Sequence, residues 1–199
     1  MATEEIPGTT YRATFNQAAE DPAAFWLEQA ATLDWHPAPT HGLDYDGTSS
    51  WKWFPDGQLN ITYQALDRWV QSGRGDQPAV LWDSAMTDQQ VSLTYAQMLD
   101  KVARFAGALR AHGVARGDRV LIYMPMIPEA LIAMLAVARL GAVHVVTFGG
   151  FAAREVATRL SDVQATAIIA ANGGIEPTRT VQARCPRGQH PLRGVRLRH

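Results

Sequence analysis

From Ala79 onward the chain alternates short apolar runs with amphipathic ones, and nothing else in the sequence constrains the fold as strongly. AVLWDS and QVSLT read as short strands around a polar turn, while RVLIYM, AVHVVTF and ATAIIAA read as strands apolar on both faces. Helical spacing separates them. Thr94 opens one helix with a capping box to Gln97 and a staple of Leu93 against Met98. Tyr95, Met98, Leu99, Val102, Phe105, Ala106 and Leu109 share one face of it, and Gly113 stops it. PEALIAMLAVARL starts at Pro128 with Glu129 in its first turn and ends at Arg139 and Gly141. FAAREVATRL carries a Glu155–Arg159 pair. Buried strands alternating with helices predict an α/β fold, a parallel sheet covered on both faces.

The preceding region has another character. Residues 10–34 read as helical, with Asp21 as a cap and Pro22 at the first helical position. Residues 35–60 form a long irregular stretch, and Trp35, Trp51 and Trp53 carry more apolar area than a free loop does, so it is expected to wrap over another domain. A short helix is expected over Thr62–Val70, with Asp67–Arg68 as a surface charge pair and QSGRGDQ as a turn. At the other end, VQARCPRGQHPLRGVRLRH has five arginines, two prolines, no acidic residue and no helical or strand period. It follows a strand expected at an open sheet edge. The sequence therefore divides into a segment at 9–68, a parallel-sheet domain at 69–180 and an atypical basic tail at 181–199.

Charge is distributed unevenly. Residues 1–100 carry 4 basic and 14 acidic side chains, net -10, and residues 101–199 carry 14 and 5, net +9. A basic half suits an anionic ligand, and equally suits a solvated surface. One cysteine, Cys185, leaves no internal disulfide framework. The start, MATEEIPG, is acidic and shows no targeting peptide, and the most apolar stretch is broken by Pro125, Pro128, Glu129 and Arg139. The expectation is a cytoplasmic protein, with the mitochondrial matrix as the alternative, and with neither membrane nor nucleic acid as partner.

Two places carry ligand chemistry. Gly149 and Gly150 lie beyond a strand's carboxyl end and before a helix, where backbone N–H groups and the helix dipole favour anions. Their spacing is not GxGxxG, which disfavours a Rossmann site. GGIEPTR follows the strand AIIAA, and its arginine suits a phosphate clamp or an ordinary surface turn. There is no Walker loop, the only lysines are Lys52 and Lys101, and no histidine spacing suggests a metal site. His144 reads as a satisfied histidine on a buried strand. No residues are assigned to catalysis or metal binding.

WFPDGQLNITYQALDRW, GDRVLIYMPMIPEALIAMLA, GAVHVVTFGGFAAREVATRL and GIEPTR together strongly resemble the acetyl- and propionyl-CoA synthetases of the adenylate-forming, AMP-binding superfamily. The resemblance covers roughly residues 10–180, and GIEPTR looks more like the propionyl-CoA branch. It implies a helical and irregular wrapping segment followed by an incomplete parallel-sheet βαβ domain of the adenylate-forming fold. It also implies a ligase that uses ATP with Mg to turn a short-chain carboxylate into an acyl-adenylate, then passes the acyl group to coenzyme A. By the same resemblance, Phe148, Gly149 and Gly150 border the channel for CoA, Glu176, Pro177, Thr178 and Arg179 form a loop beside it, and Arg179 meets a CoA phosphate. The family's ATP phosphate loop and its lysine-bearing carboxyl-terminal domain have no counterpart in these residues. That implies a piece inactive alone, produced by frameshift, truncation or splicing, or else a non-catalytic CoA-binding or interaction module.

Overall fold

The structure, a computed structural model, describes residues 11–45, 47–48, 50–176, 179–182 and 193–196, with side chains through Ile175. The chain divides into two compact units at Leu59/Asn60.

In the first unit, α1 (Tyr11–Glu20) and α2 (Pro22–Ala30) are separated by Asp21. The Asp21 side chain accepts from the Ala24 amide, and Pro22 fills the first helical position, where no N–H is needed. The irregular stretch holds a small antiparallel hairpin of β1 (Leu43–Tyr45) and β2 (Trp51–Trp53). Its aromatics pack on one another. Trp26 meets Trp53 edge-on at 6.5 Å, Trp35 meets Phe54 at 5.4 Å, and Tyr45 stacks on Trp51 at 4.3 Å.

The second unit begins at Asn60. Its first helical stretch contains two wide π-type turns, Tyr63–Asp67 and Val70–Arg74, and Gly73 at φ 81° breaks the helical backbone within the residues expected to form a turn. Next come the antiparallel hairpin of β3 (Pro78–Ser84) and β4 (Gln89–Thr94), then α3 (Tyr95–Ala111). The capping box is present at Thr94, and the chain leaves α3 through Gly113 at φ 82°. β5 (Arg119–Met124), α4 (Pro128–Arg139), β6 (Val143–Phe148), α5 (Ala153–Asp162) and β7 (Ala167–Ala170) complete the alternating array.

The sheet is parallel, with β5 at its centre between β6 and β7. Residues of β5 alternate between two cores. Val120, Ile122 and Met124 face α3 and α4, while Leu121 and Tyr123 face α5 with Val156 and Leu160. Arg119, at the start of β5, donates to the Val163 and Gln164 carbonyls and so closes the end of α5.

Four expectations are corrected. The edge beside β7 is not open, and the basic tail is not without strand. After the hairpin of β8 (Gly173–Glu176) and β9 (Arg179–Gln182), β10 (Arg193–Arg196) pairs parallel to β7. Edge pairing is made by backbone groups, so it needs no apolar period. His144 is exposed, as are Val146 and Phe148 on the same face of β6, at 54% and 66%. Asp67 does not pair with Arg68. Arg139 donates to both of its carboxylate oxygens, while Arg68 donates to Gln64 and lies over Trp69.

Candidate functional site

The carboxyl ends of β5 and β6 and the start of β8 converge on one short turn, Met124–Pro125–Met126. Two prolines, Pro125 and Pro128, remove backbone donors there and limit the turn to a few conformations. Ile127 N–H donates to the Pro125 carbonyl at 2.9 Å, and α4 begins immediately afterwards. Gly149 lies against this turn so closely that a Cβ would fall 2.8 Å from the Met124 carbonyl oxygen and 2.9 Å from the Pro125 nitrogen. The glycine is required for space. On the β8 side, a Cβ at Gly174 would sit 3.9 Å from the Pro125 Cβ. The turn therefore backs Gly149 closely and lies near Gly174.

The sequence-assigned residues distribute around it as follows. Phe148 ends β6, with its ring exposed and edge-on to Phe151 at 5.7 Å. Gly149 and Gly150 form the turn that leads to α5, whose first residues have no side-chain cap. Below them, Tyr123 donates to the Phe151 carbonyl at 2.8 Å, and the Thr147 hydroxyl is buried without a hydrogen-bond partner among the described residues. Glu176 and Arg179 are register partners on β8 and β9, so the segment expected as a loop is the end of a hairpin. Pro177 and Thr178 lie outside the described residues.

A groove of about 780 Å³ flanks the same turn, lined by Trp82, Met86, Val91, Lys101, Met126 and Ile175 among others. Its size and largely apolar lining suit a small-molecule cleft. Sequence reasoning did not find it, because the β3–β4 hairpin and β8 meet there from distant parts of the chain. The available signal was Trp82, since an indole N–H on a two-stranded hairpin needs an acceptor. That acceptor is the Met126 carbonyl, at 2.8 Å. Among the described residues no helix is long and apolar enough to cross a membrane.

The chain matches the AMP-binding enzyme family over residues 66–195 and the acetyl-coenzyme A synthetase N-terminus family over residues 11–65. The first of these matches extends into the basic tail. Among curated relatives, the Bos taurus protein named acyl-CoA synthetase short-chain family member 3, mitochondrial, is 43% identical over 88% of this chain and 26% of its own length. The acetyl-coenzyme A synthetase of Streptomyces coelicolor is 49% identical over 80% of this chain and 24% of its own length. The solved acetoacetyl-CoA synthetase from Streptomyces lividans superposes with a TM-score of 0.78 at 28% identity, covering 87% of this chain and 27% of that one. The chain thus spans about a quarter of the length of these relatives. A parallel α/β array of the same shape, preceded by the same amino-terminal segment, leaves one assignment: the chain belongs to the AMP-binding enzyme family and corresponds to the amino-terminal region of the short-chain acyl-CoA synthetases.

Proposed function

We propose that these residues form the CoA-facing wall of a ligase that joins a short-chain carboxylate to coenzyme A through an acyl-adenylate, with Mg-bound ATP split to AMP and pyrophosphate elsewhere in the complete enzyme. The observation that carries this reading is the seating of Gly149 against Met124 and Pro125 at the end of β5, which leaves no room for a side chain and fixes the β6–α5 turn at the carboxyl edge of the sheet. Ligands of open α/β sheets bind along that edge, and the adjoining uncapped start of α5 favours the phosphates of CoA. In this reading Phe148 and Gly150 border the channel, and Glu176, Pro177, Thr178 and Arg179 are its remaining CoA-binding residues, with Arg179 as the partner of a CoA phosphate. Activation in such an enzyme replaces a poor leaving group, carboxylate oxygen, with a good one, AMP.

The 199 residues alone are inactive in this reading, since no ATP phosphate loop and no catalytic lysine is found in them. The uncovered apolar face of β6 agrees with a unit that belongs within a larger protein. GIEPTR looks more like the propionyl-CoA branch of the family, and the expected compartment is the cytoplasm.

The test combines two measurements on the purified chain. Acetate- and propionate-dependent ATP–pyrophosphate exchange is expected at background, and CoA titrated by calorimetry is expected to bind saturably, with affinity falling as salt rises. Exchange above background would overturn the claim of inactivity. Absent CoA binding by a cooperatively folded chain would remove the CoA-wall reading. A non-catalytic CoA-binding module is the second reading, favoured by the basic half of the chain; a full-length relative regaining CoA binding but not turnover with this region exchanged would support it.

A further inference from the structure

We infer that Trp82 is a positioning residue for the proposed CoA wall: through one hydrogen bond it holds the turn against which Gly149 is seated. The inference rests on the reading above for its functional consequence, but its structural core stands on the geometry alone. β5 ends at Met124, and the next four residues, Pro125–Met126–Ile127–Pro128, must turn the chain into α4. With prolines at two of these positions, the turn has few donors of its own. Its one internal bond is Ile127 N–H to the Pro125 carbonyl. Met126 cannot anchor it by packing, since its side chain is 85% exposed. The Met126 carbonyl is instead taken by the Trp82 indole N–H at 2.8 Å, from a strand 44 positions earlier in the chain.

Trp82 is itself well placed to act as a tether. It sits in β3 opposite Val91 of β4, and that hairpin is pinned to the main core by Val80 and Leu93. Its ring is rigid, with two rotatable bonds, so the bond to Met126 fixes the turn relative to the core. The tolerance at Gly149 is small. Gly149 has no clearance to the Met124 carbonyl beyond its own hydrogen atoms, whereas Gly174 leaves room for a Cβ, which would sit 3.9 Å from the Pro125 Cβ. A displacement of the turn by a few tenths of an ångström is therefore transmitted to the β6–α5 turn. Trp82 lies on the groove side and touches neither glycine, so its influence on the wall is exerted through Met126 and Pro125.

The experiment replaces Trp82 with Phe, which keeps an aromatic ring and removes the donor. In ¹H–¹⁵N spectra of the full chain, W82F is expected to shift the amides of Met126, Ile127 and Gly149 while those of Leu109 and Gly113 stay in place. Shifts confined to the β3–β4 hairpin would overturn the inference. A measurement on the unsubstituted chain keeps the test open if W82F does not fold. The Trp82 indole proton is expected to exchange with solvent much more slowly than that of the exposed Trp51, and equal rates would overturn the inference. Where the unsubstituted chain binds CoA, W82F is expected to weaken binding about 3- to 10-fold, the worth of one such hydrogen bond, and unchanged affinity would count against a positioning role. A moved Gly149 amide in a chain that never binds CoA would uphold the tether and remove the CoA reading instead.

Discussion

Arg139 donates two hydrogen bonds to Asp67, of 2.8 and 3.0 Å, across 72 positions of sequence. The pair closes the end of α4 onto the helical segment that opens the second unit. Two neutral contacts lie beside it. Asn60 donates to the Arg139 carbonyl at 3.1 Å while its own oxygen accepts from the Thr62 and Tyr63 amides, and Thr62 donates to the Leu135 carbonyl at 2.8 Å. The Arg139 carbonyl, which α4 leaves unpaired at its end, is thereby satisfied from a distant segment. The wide π-type turn at Tyr63–Asp67 belongs to this clamp, because its last residue is the one that meets Arg139.

Asp67→Ala is expected to destabilise the chain by about 1–3 kcal/mol, since it leaves a half-buried guanidinium without its bidentate partner. The cost stays below that of breaking a deeply buried pair because the Arg139 side chain is 31% exposed. Urea melts of D67A, R139A and the double variant check this. A coupling energy near zero would mean that the two residues act independently.

Asp56 offers a pH-dependent case. Its carboxylate accepts from the Thr40 hydroxyl, then from the Thr40 amide, with weaker contributions from His41, and these hold its pKa well below the usual carboxylate range. A depressed folded-state pKa stabilises at pH values above the unfolded value of about 3.9, and the contribution is lost as pH falls from there through the folded-state value. Asp56→Asn is therefore expected to lower the melting temperature of the aromatic-rich first unit at pH 7. The difference from the unsubstituted chain is expected to narrow below about pH 4. Tryptophan fluorescence melts at several pH values measure it, and a gap that widens on acidification would contradict the assignment.

The capping box at the start of α3 is a local feature with a predictable worth. The Thr94 side chain accepts from the Gln97 amide, and the Gln97 side chain accepts from the Thr94 amide. Thr94→Ala is expected to cost about 1 kcal/mol. Gln97→Ala in the T94A background is expected to cost less than Gln97→Ala alone, because the two bonds support one turn. Denaturant midpoints of the four chains decide this.

These contrasts mark what the sequence makes legible. α3 was readable end to end because its determinants lie within a few residues of one another, from Thr94 through Met98, Val102, Ala106 and Leu109 to Gly113. β5 and α4 were readable for the same reason. The partner of Asp67 was not, since Arg68 is adjacent in sequence while Arg139 becomes adjacent only when α4 packs. β10 escaped because edge pairing depends on backbone groups that leave no apolar period, and His144 was misjudged because periodicity does not report which strand ends up uncovered. For the candidate site, the location of Gly149 and Gly150 at a strand's carboxyl end follows from the alternation of elements. That Met124 and Pro125 fill the space where a side chain would go, and that Trp82 secures that turn, emerges only from the three-dimensional arrangement.

Two glycine substitutions separate steric necessity from conformational entropy. Gly149 does not have the positive φ that would demand glycine on backbone grounds, so its requirement is the 2.8 Å approach to the Met124 carbonyl. Backbone cannot yield as a flexible side chain can. Gly149→Ala is accordingly expected to destabilise by about 1–3 kcal/mol, as overpacking does. Gly107 lies in the interior of α3 with nothing within 4 Å of its would-be Cβ. Gly107→Ala is expected to stabilise by about 0.5–1 kcal/mol, because alanine loses less backbone freedom on folding. The same added methyl group should thus move the melting temperature in opposite directions at the two positions. A neutral G149A would mean that the β6–α5 turn can withdraw from β5 without cost, and the tight seat on which the CoA wall is argued would be lost.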